Sequence, residues 1–243
     1  MDWTPLAWFA AALVALLWLE QQTHRHLQGV ALLVTGHPDA AVELYSLPLL
    51  PGIVLHEASH ALAALLVGVR VGRIALRPAR AEGRIQLGFV PVEATGPVRT
   101  AIIGLAPLLT GCLALLLIGG VMLRLGAAGA ALSTGDWVAV LDGLRAATHA
   151  RDFWVWAYLA FSISNTMLPS RSDMRAWPVV AVSLALTVAL MAALGAVAPL
   201  AGALRWLAIA CGLTVLLDLP FVLLIFLLEW GLSRAKGVRV EYQ

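Results

Sequence analysis

Charge is scarce in this chain of 243 residues: 12% are Asp, Glu, Lys or Arg, while 61% are hydrophobic. Soluble domains carry about a quarter charged residues and roughly half apolar ones. A chain this poor in charge cannot cover a surface facing water, and its mean hydropathy of +0.89 makes lipid part of its solvent. Lysine is nearly missing, with Lys236 alone beside 15 arginines, and the net charge of +2 is too small and scattered to point to nucleic acid. Cysteine is limited to Cys112 and Cys211, both inside apolar runs, so two buried free thiols are expected and no Cys pair has zinc-ligand spacing. No polar stretch is long enough for a soluble domain, so residues 1–243 read as a single membrane domain. The first apolar run lacks the basic leader and small-residue cleavage site of a signal peptide, having Asp2 instead. Trp3, Trp8 and Trp18 bracket it as interfacial aromatics, and it reads as a retained membrane helix.

A helix crosses the bilayer core with about 20 apolar residues. Six stretches approach that length: 3–19, 44–68, 98–123, 153–168, 177–198 and 204–228. Residues 29–34 are apolar but too short to span, and are expected to dip into the interface. Between the second and third stretches the texture changes. Arg73-Ile74-Ala75-Leu76-Arg77 and Arg84-Ile85-Gln86-Leu87, with Phe89 continuing the apolar set, alternate with period two around Pro78 and Gly83. That predicts a β-hairpin over about 70–92, lying against the membrane or the bundle because an isolated hairpin is marginal in water. The fold class expected is therefore an all-α polytopic membrane protein of about six transmembrane helices with one small membrane-associated hairpin. Strict alternation of six spans puts eleven basic residues on one side (Arg70, Arg73, Arg77, Arg80, Arg84, Arg99, Arg171, Arg175, Arg234, Lys236, Arg239) against five on the other, which predicts both termini in the cytoplasm.

One motif carries chemistry. His56-Glu57-Ala58-Ser59-His60 is an H-E-x-x-H within the second stretch. On a helix, positions i and i+4 share a face, so both imidazoles can reach one zinc ion. Glu57 sits beside them, where it can take a proton from water that the metal has acidified towards a pKa of ~7. By residue frequencies the pattern should arise by chance in under ~1% of such chains. An acid inside a span costs roughly 3 kcal/mol on the insertion scale, so three polar groups on one turn call for a partner, and a metal is the obvious one. A catalytic zinc takes a third protein ligand. Asp173, just beyond the fourth stretch, falls on the same membrane side as His60, and a re-entrant turn after Pro169 would bring it to the metal. The spacing leaves a second reading open, a loop acid paired with Arg171 or Arg175.

These motifs resemble the site-2 protease family of intramembrane zinc metalloproteases, in which H-E-x-x-H on one helix is joined by Asn-x-x-Pro and Leu-Asp-Gly on a later one. Asn165 and Asp173 stand eight apart here, as in that family. The resemblance covers about residues 44–175, the expected catalytic core. Residues 1–43 then form an N-terminal helix with an interfacial segment, and 176–243 a C-terminal helix pair. The resemblance implies one zinc per chain held by His56, His60 and Asp173. It further implies that Glu57 and Asn165 are catalytic, Asn165 lying near the scissile carbonyl where it could hydrogen-bond the developing oxyanion, and that the hairpin pairs with an unwound strand of a membrane-anchored protein substrate. Departures are Pro169, four rather than three residues after Asn165, and Ser172 and Met174 where Leu and Gly flank the ligand. Gly104 and Pro107 match a Gly-Pro element of the family only loosely. No peptide-binding domain interrupts the chain, which corresponds to a minimal form, and a bacterial inner membrane fits its Arg-rich compactness.

Other polar residues receive blander expectations. His24 and His26 lie with Glu20 in a polar connection and read as an interfacial pair ahead of a second metal site. His37-Pro38-Asp39 reads as a turn that starts a helix, and His149 belongs to a polar stretch, 136–152, expected to form an amphipathic surface helix. Pro48 and Pro51 should kink the approach to the motif helix. Asp218 is an acid within the sixth stretch, next to Pro220, with Arg205 or a freed backbone group as its expected partner. Two rival functions remain: a non-catalytic membrane scaffold that keeps the protease framework, and a metal or proton transporter using His56, Glu57 and Asp218.

Overall fold

The computed structural model describes residues 4–81, 84–168, 173–195, 198–238 and 240–241. Asp2, Trp3, Gly83, Pro169, Arg171, Ser172 and Arg239, which figured in the expectations above, lie outside them. The protein is α-helical, and among the described residues four helical stretches are long and apolar enough to cross a membrane: Leu6–Thr35, Pro38–Leu66, Pro97–Met122 and Ala201–Lys236. Leu66, Leu113, Trp154 and Leu194 on the outside are each more than two-thirds exposed, as suits a surface bathed in lipid.

Helix α1 (Thr4–Thr35) runs unbroken through Glu20, His24 and His26. The polar connection and the interfacial dip expected at 29–34 are thus the second half of one helix, because its polar groups turn inward to partners. After Gly36, α2 (Pro38–Ser46) opens with proline at its first position and Asp39 in its first turn, where a missing N–H costs nothing and an acid meets the helix dipole. A 3-10 turn, Leu47–Leu49, leads into α3 (Leu50–Leu66), and Pro48 and Pro51 each occupy the start of one of these segments. The prolines therefore restart the helix at points where their absent N–H groups are tolerated.

The stretch that follows is mostly extended. Strand β1 (Ala79–Ala81) pairs antiparallel with β2 (Arg84–Gln86), Ala79 facing Gln86, and two further bridges join Val71 to Val92 and Ala75 to Phe89. Next come α4 (Pro97–Leu117), closed by a π turn at Ile118–Met122, then α5 (Gly126–Thr134) and α6 (Trp137–Thr148). The Asp136 side chain caps α6 by accepting from Ala139 N at 3.1 Å. α7 (Phe153–Ser164) precedes a 3-10 turn (Asp173–Ala176), α8 (Trp177–Ala193) and α9 (Ala198–Lys236). α7 and α8 are the shorter apolar helices.

α1 and α9 form the most extensive helix pair. His26 Nδ1 lies 2.6 Å from Glu229 Oε2, and Lys236 Nζ donates to Leu33 O. The residue numbers rise together, so the two helices run parallel. Six strictly alternating spans would make the first and last antiparallel, and the expectation of both termini on one side does not fit this pairing. If Arg234, Lys236 and Arg239 move to the other side, eleven against five becomes eight against eight. The overall charge bias that oriented the chain then vanishes. A membrane-impermeant maleimide applied to sealed cells, with Cys112 and Cys211 replaced, should label only one of Thr4→Cys and Val238→Cys. Labelling of both, or of neither until the membrane is opened, would contradict the parallel pair.

Candidate metal centre

α3 carries His56 and His60 one turn apart, with ring centroids 4.8 Å apart and planes at 78°. Each ring is held by its far nitrogen: His56 Nδ1 lies 2.6 Å from Thr166 O, and His60 Nδ1 lies 2.9 Å from Ile103 O. A carbonyl only accepts, so both Nδ1 atoms carry the proton, and each neutral ring presents a lone pair at Nε2. The two Nε2 atoms converge at 3.1 Å. Asp173 completes the group, with Oδ1 3.3 Å from His60 Nε2 and Oδ2 3.8 Å from His56 Nε2. All three ligand atoms lie within 4.8 Å of one another.

Three electron-pair donors facing one point repel unless a cation or a proton sits among them. Tetrahedral zinc with bonds of about 2.0–2.1 Å separates its ligand atoms by roughly 3.3 Å, close to the two shorter spacings. Anchoring a ligand imidazole through its other nitrogen is also the usual way metal sites fix tautomer and aim. The residues fit a metal ion on donor chemistry, geometry and support together.

The chain builds this group by bringing the end of α7 against α3. At 12 residues α7 is about 18 Å long, shorter than a bilayer core of about 30 Å. Phe161 to Ser164 are buried, so its last carbonyls need partners from protein. Phe161 O receives Asn165 Nδ2 at 2.8 Å, Ser162 O receives Thr166 Oγ1 at 2.9 Å, and Thr166 O receives His56. Close approach is possible because α3 has Gly52 there: a Cβ would fall 2.2 Å from both Ser162 O and Thr166 Oγ1. Ser162 Oγ in turn accepts from Gly52 N at 2.9 Å.

Asp173 is positioned from the other side. The turn it opens packs against α4, where a Cβ on Gly104 would stand 2.6 Å from Asp173 O. Gly104→Ala should push the Asp173 backbone outward and weaken metal binding by about 10–100-fold, the usual effect of losing a ligand's support. Gly119→Ala, at a site with nothing within 4 Å of the added carbon, is the control, and equal affinities in the two variants would refute the spacing argument. Ser59 Oγ and Thr110 Oγ1, 2.5 Å apart, tie α3 to α4 beside the group.

Glu57 is buried, 6% exposed, under the extended segment after β2. A Cβ on Gly88 would lie 2.6 Å from Glu57 Oε1, so the backbone there rests directly on the carboxylate. Asn165 is buried as well, and its amide nitrogen is engaged by Phe161 O and by Ser164 Oγ at 3.1 Å. His24 and His26 do not form one pair: His24 meets Tyr45 and Asn165 O, while His26 meets Glu229. Asp218 is joined to Ser164 rather than to Arg205 or a freed backbone group at Pro220. His149 is the C-cap of α6 and is not a member of the group.

Sequence reasoning missed the Thr166 and Ile103 carbonyls, because a backbone acceptor has no signature in residue type. It also missed Gly88, although a glycine inside an alternating strand pattern is a sign of close backbone approach.

Fold and site together define an α-helical membrane protein whose bundle holds a His-His-Asp group able to bind a metal ion. Protein-family models, curated proteins and solved structures yield no match to this chain.

Proposed function

We propose that this chain is an intramembrane zinc metalloprotease of the site-2 protease type, hydrolysing peptide bonds of membrane-anchored proteins near the cytoplasmic face. The observation that carries the proposal is the convergence of His56 Nε2, His60 Nε2 and the Asp173 carboxylate, with both imidazoles pinned by backbone carbonyls, beside Glu57 in the same helical turn. Zinc held there would supply Lewis acidity, polarising a carbonyl and acidifying water. Glu57 accepts the proton from the attacking water and returns it to the leaving amide nitrogen. Its burial under Gly88 keeps bulk water from the carboxylate.

The extended segment at 84–90 supports the substrate side of the proposal. Phe89 exchanges both backbone hydrogen bonds with Ala75, at 2.8 and 2.9 Å. In an antiparallel ladder alternate residues direct their polar groups to opposite edges, so Gly88 and Val90 direct theirs away from Ala75. A substrate strand pairing along that edge would pass beside Glu57 with its backbone satisfied, as an unwound helix in lipid requires. Asn165, engaged at the end of α7, is assigned to closing that helix ahead of the oxyanion contact that the resemblance implies. With the chain-wide count balanced, the cytoplasmic side rests on the local cluster alone: Arg70, Arg73, Arg77, Arg80, Arg84 and Arg99 fall within thirty positions of sequence at the metal end of α3 and α4. A membrane-associated hairpin belongs to the same proposal, whereas the parallel α1 and α9 favour an odd number of crossings over the six read from hydropathy.

The test is proteoliposome cleavage of single-span substrates by the zinc-loaded chain, inhibited by a membrane-permeant chelator and restored by zinc. Cleavage that survives complete metal removal would overturn the proposal.

A further inference from the structure

His24 on α1 and Asp218 on α9 are inward-facing polar residues with no part in the metal group. Both reach the same short piece of chain. His24 Nε2 lies 2.9 Å from Asn165 O and must be the donor, so Nδ1 accepts from the Tyr45 hydroxyl at 2.5 Å. That tautomer is opposite to those of His56 and His60, so this ring is arranged as a hydrogen-bonding prop rather than as a ligand. Glu20 Oε1 flanks it at 3.8 Å. Asp218, 1% exposed, accepts from Ser164 Oγ through Oδ2 at 2.7 Å, and Ser164 Oγ accepts from Asn165 Nδ2 at 3.1 Å. Its other oxygen, Oδ1, is buried with no hydrogen-bond partner among the described residues. A buried carboxyl group that is only half satisfied is costly.

The next residue along is Thr166, whose carbonyl holds His56 Nδ1. We propose that His24 and Asp218 are positioning residues: from two different helices they clamp Ser164 and Asn165 at the broken end of α7, and through the Thr166 carbonyl they aim His56 at the metal. The proposal rests on the metal-site reading above. It makes α1 and α9, which carry no ligand, part of the machinery that sets metal affinity.

The test compares His24→Leu and Asp218→Leu with His24→Gln and Asp218→Asn, which keep a donor and an acceptor of similar reach. Two measurements are made on detergent-purified protein: Co2+ affinity with its visible ligand-field spectrum, and, on metal-free protein, hydrogen exchange of amides 164–168. The Leu variants should bind Co2+ about tenfold more weakly, at the low end of the effect of outer partners on metal affinity, with altered band positions. Their 164–168 amides should exchange roughly tenfold faster, and the Gln and Asn variants should recover most of both effects. Parent-like affinity and exchange in the Leu variants would overturn the clamp, as would Gln and Asn variants no better than Leu. A parent that takes up no Co2+ would defeat the metal-site reading, and the exchange rates would still decide whether His24 and Asp218 hold the end of α7.

Discussion

Purified with zinc present, the parent chain should carry about one zinc per molecule, and His56→Ala should carry none after passage through a weak chelator. Four-ligand structural zinc sites bind with about 10–16 kcal/mol of apparent free energy. Each ligand's share is then roughly 2.5–4 kcal/mol, and losing one should weaken binding by on the order of 10²–10³-fold. His56→Ala also strands the Thr166 carbonyl at the end of α7, so its loss should lie at the upper end. Asp173→Ala removes the carboxylate 3.3 Å from His60 and should fall in the same range. Elemental analysis of the three proteins, with thermal unfolding as the check on folding, separates the alternatives. Zinc lost in both variants supports the three-ligand group. Zinc retained in Asp173→Ala would return Asp173 to a loop acid. A parent without zinc after metal-replete purification would leave the scaffold reading in possession.

Glu57→Gln should keep the zinc and lose the reaction. The substitution preserves shape beneath Gly88 and removes only the capacity to take a proton. General acid–base groups contribute about 10²–10⁴-fold to rate, so cleavage should drop by that factor at unchanged metal content. Single-turnover cleavage in proteoliposomes, with the zinc measured on the same sample, gives the comparison. A variant that cleaves at the parent rate would remove Glu57 from the chemistry. If the parent cleaves nothing yet moves metal ions across the membrane in a way that Glu57→Gln abolishes, the transporter reading replaces the protease.

Much of this site is legible in the residues alone because helix geometry is local. His56 and His60 share a face by spacing, and Glu57 follows from its place between them. Composition is equally direct about the membrane, since the shortage of charge is a property of the whole chain. Span boundaries fail where polar residues interrupt apolar runs. α1 continues through Glu20, His24 and His26 because Tyr45, Asn165 and Glu229 meet the two imidazoles, and those partners lie up to 203 positions away in sequence. The same distance hides the partner of Asp218.

Residue type and contacts four positions long are enough to specify a membrane protein with two imidazoles and a carboxylate on one helical turn. The tertiary structure decided what brings Asp173 to His60: a helix that stops after 12 residues, glycines at 52 and 104 that admit the returning chain, and backbone carbonyls that turn both imidazoles. It also decided that α1 and α9 run parallel, which does not fit the strict alternation of six spans. These depend on close packing between distant segments, where the deciding atoms are backbone oxygens and absent side chains, and neither leaves a mark in hydropathy or charge.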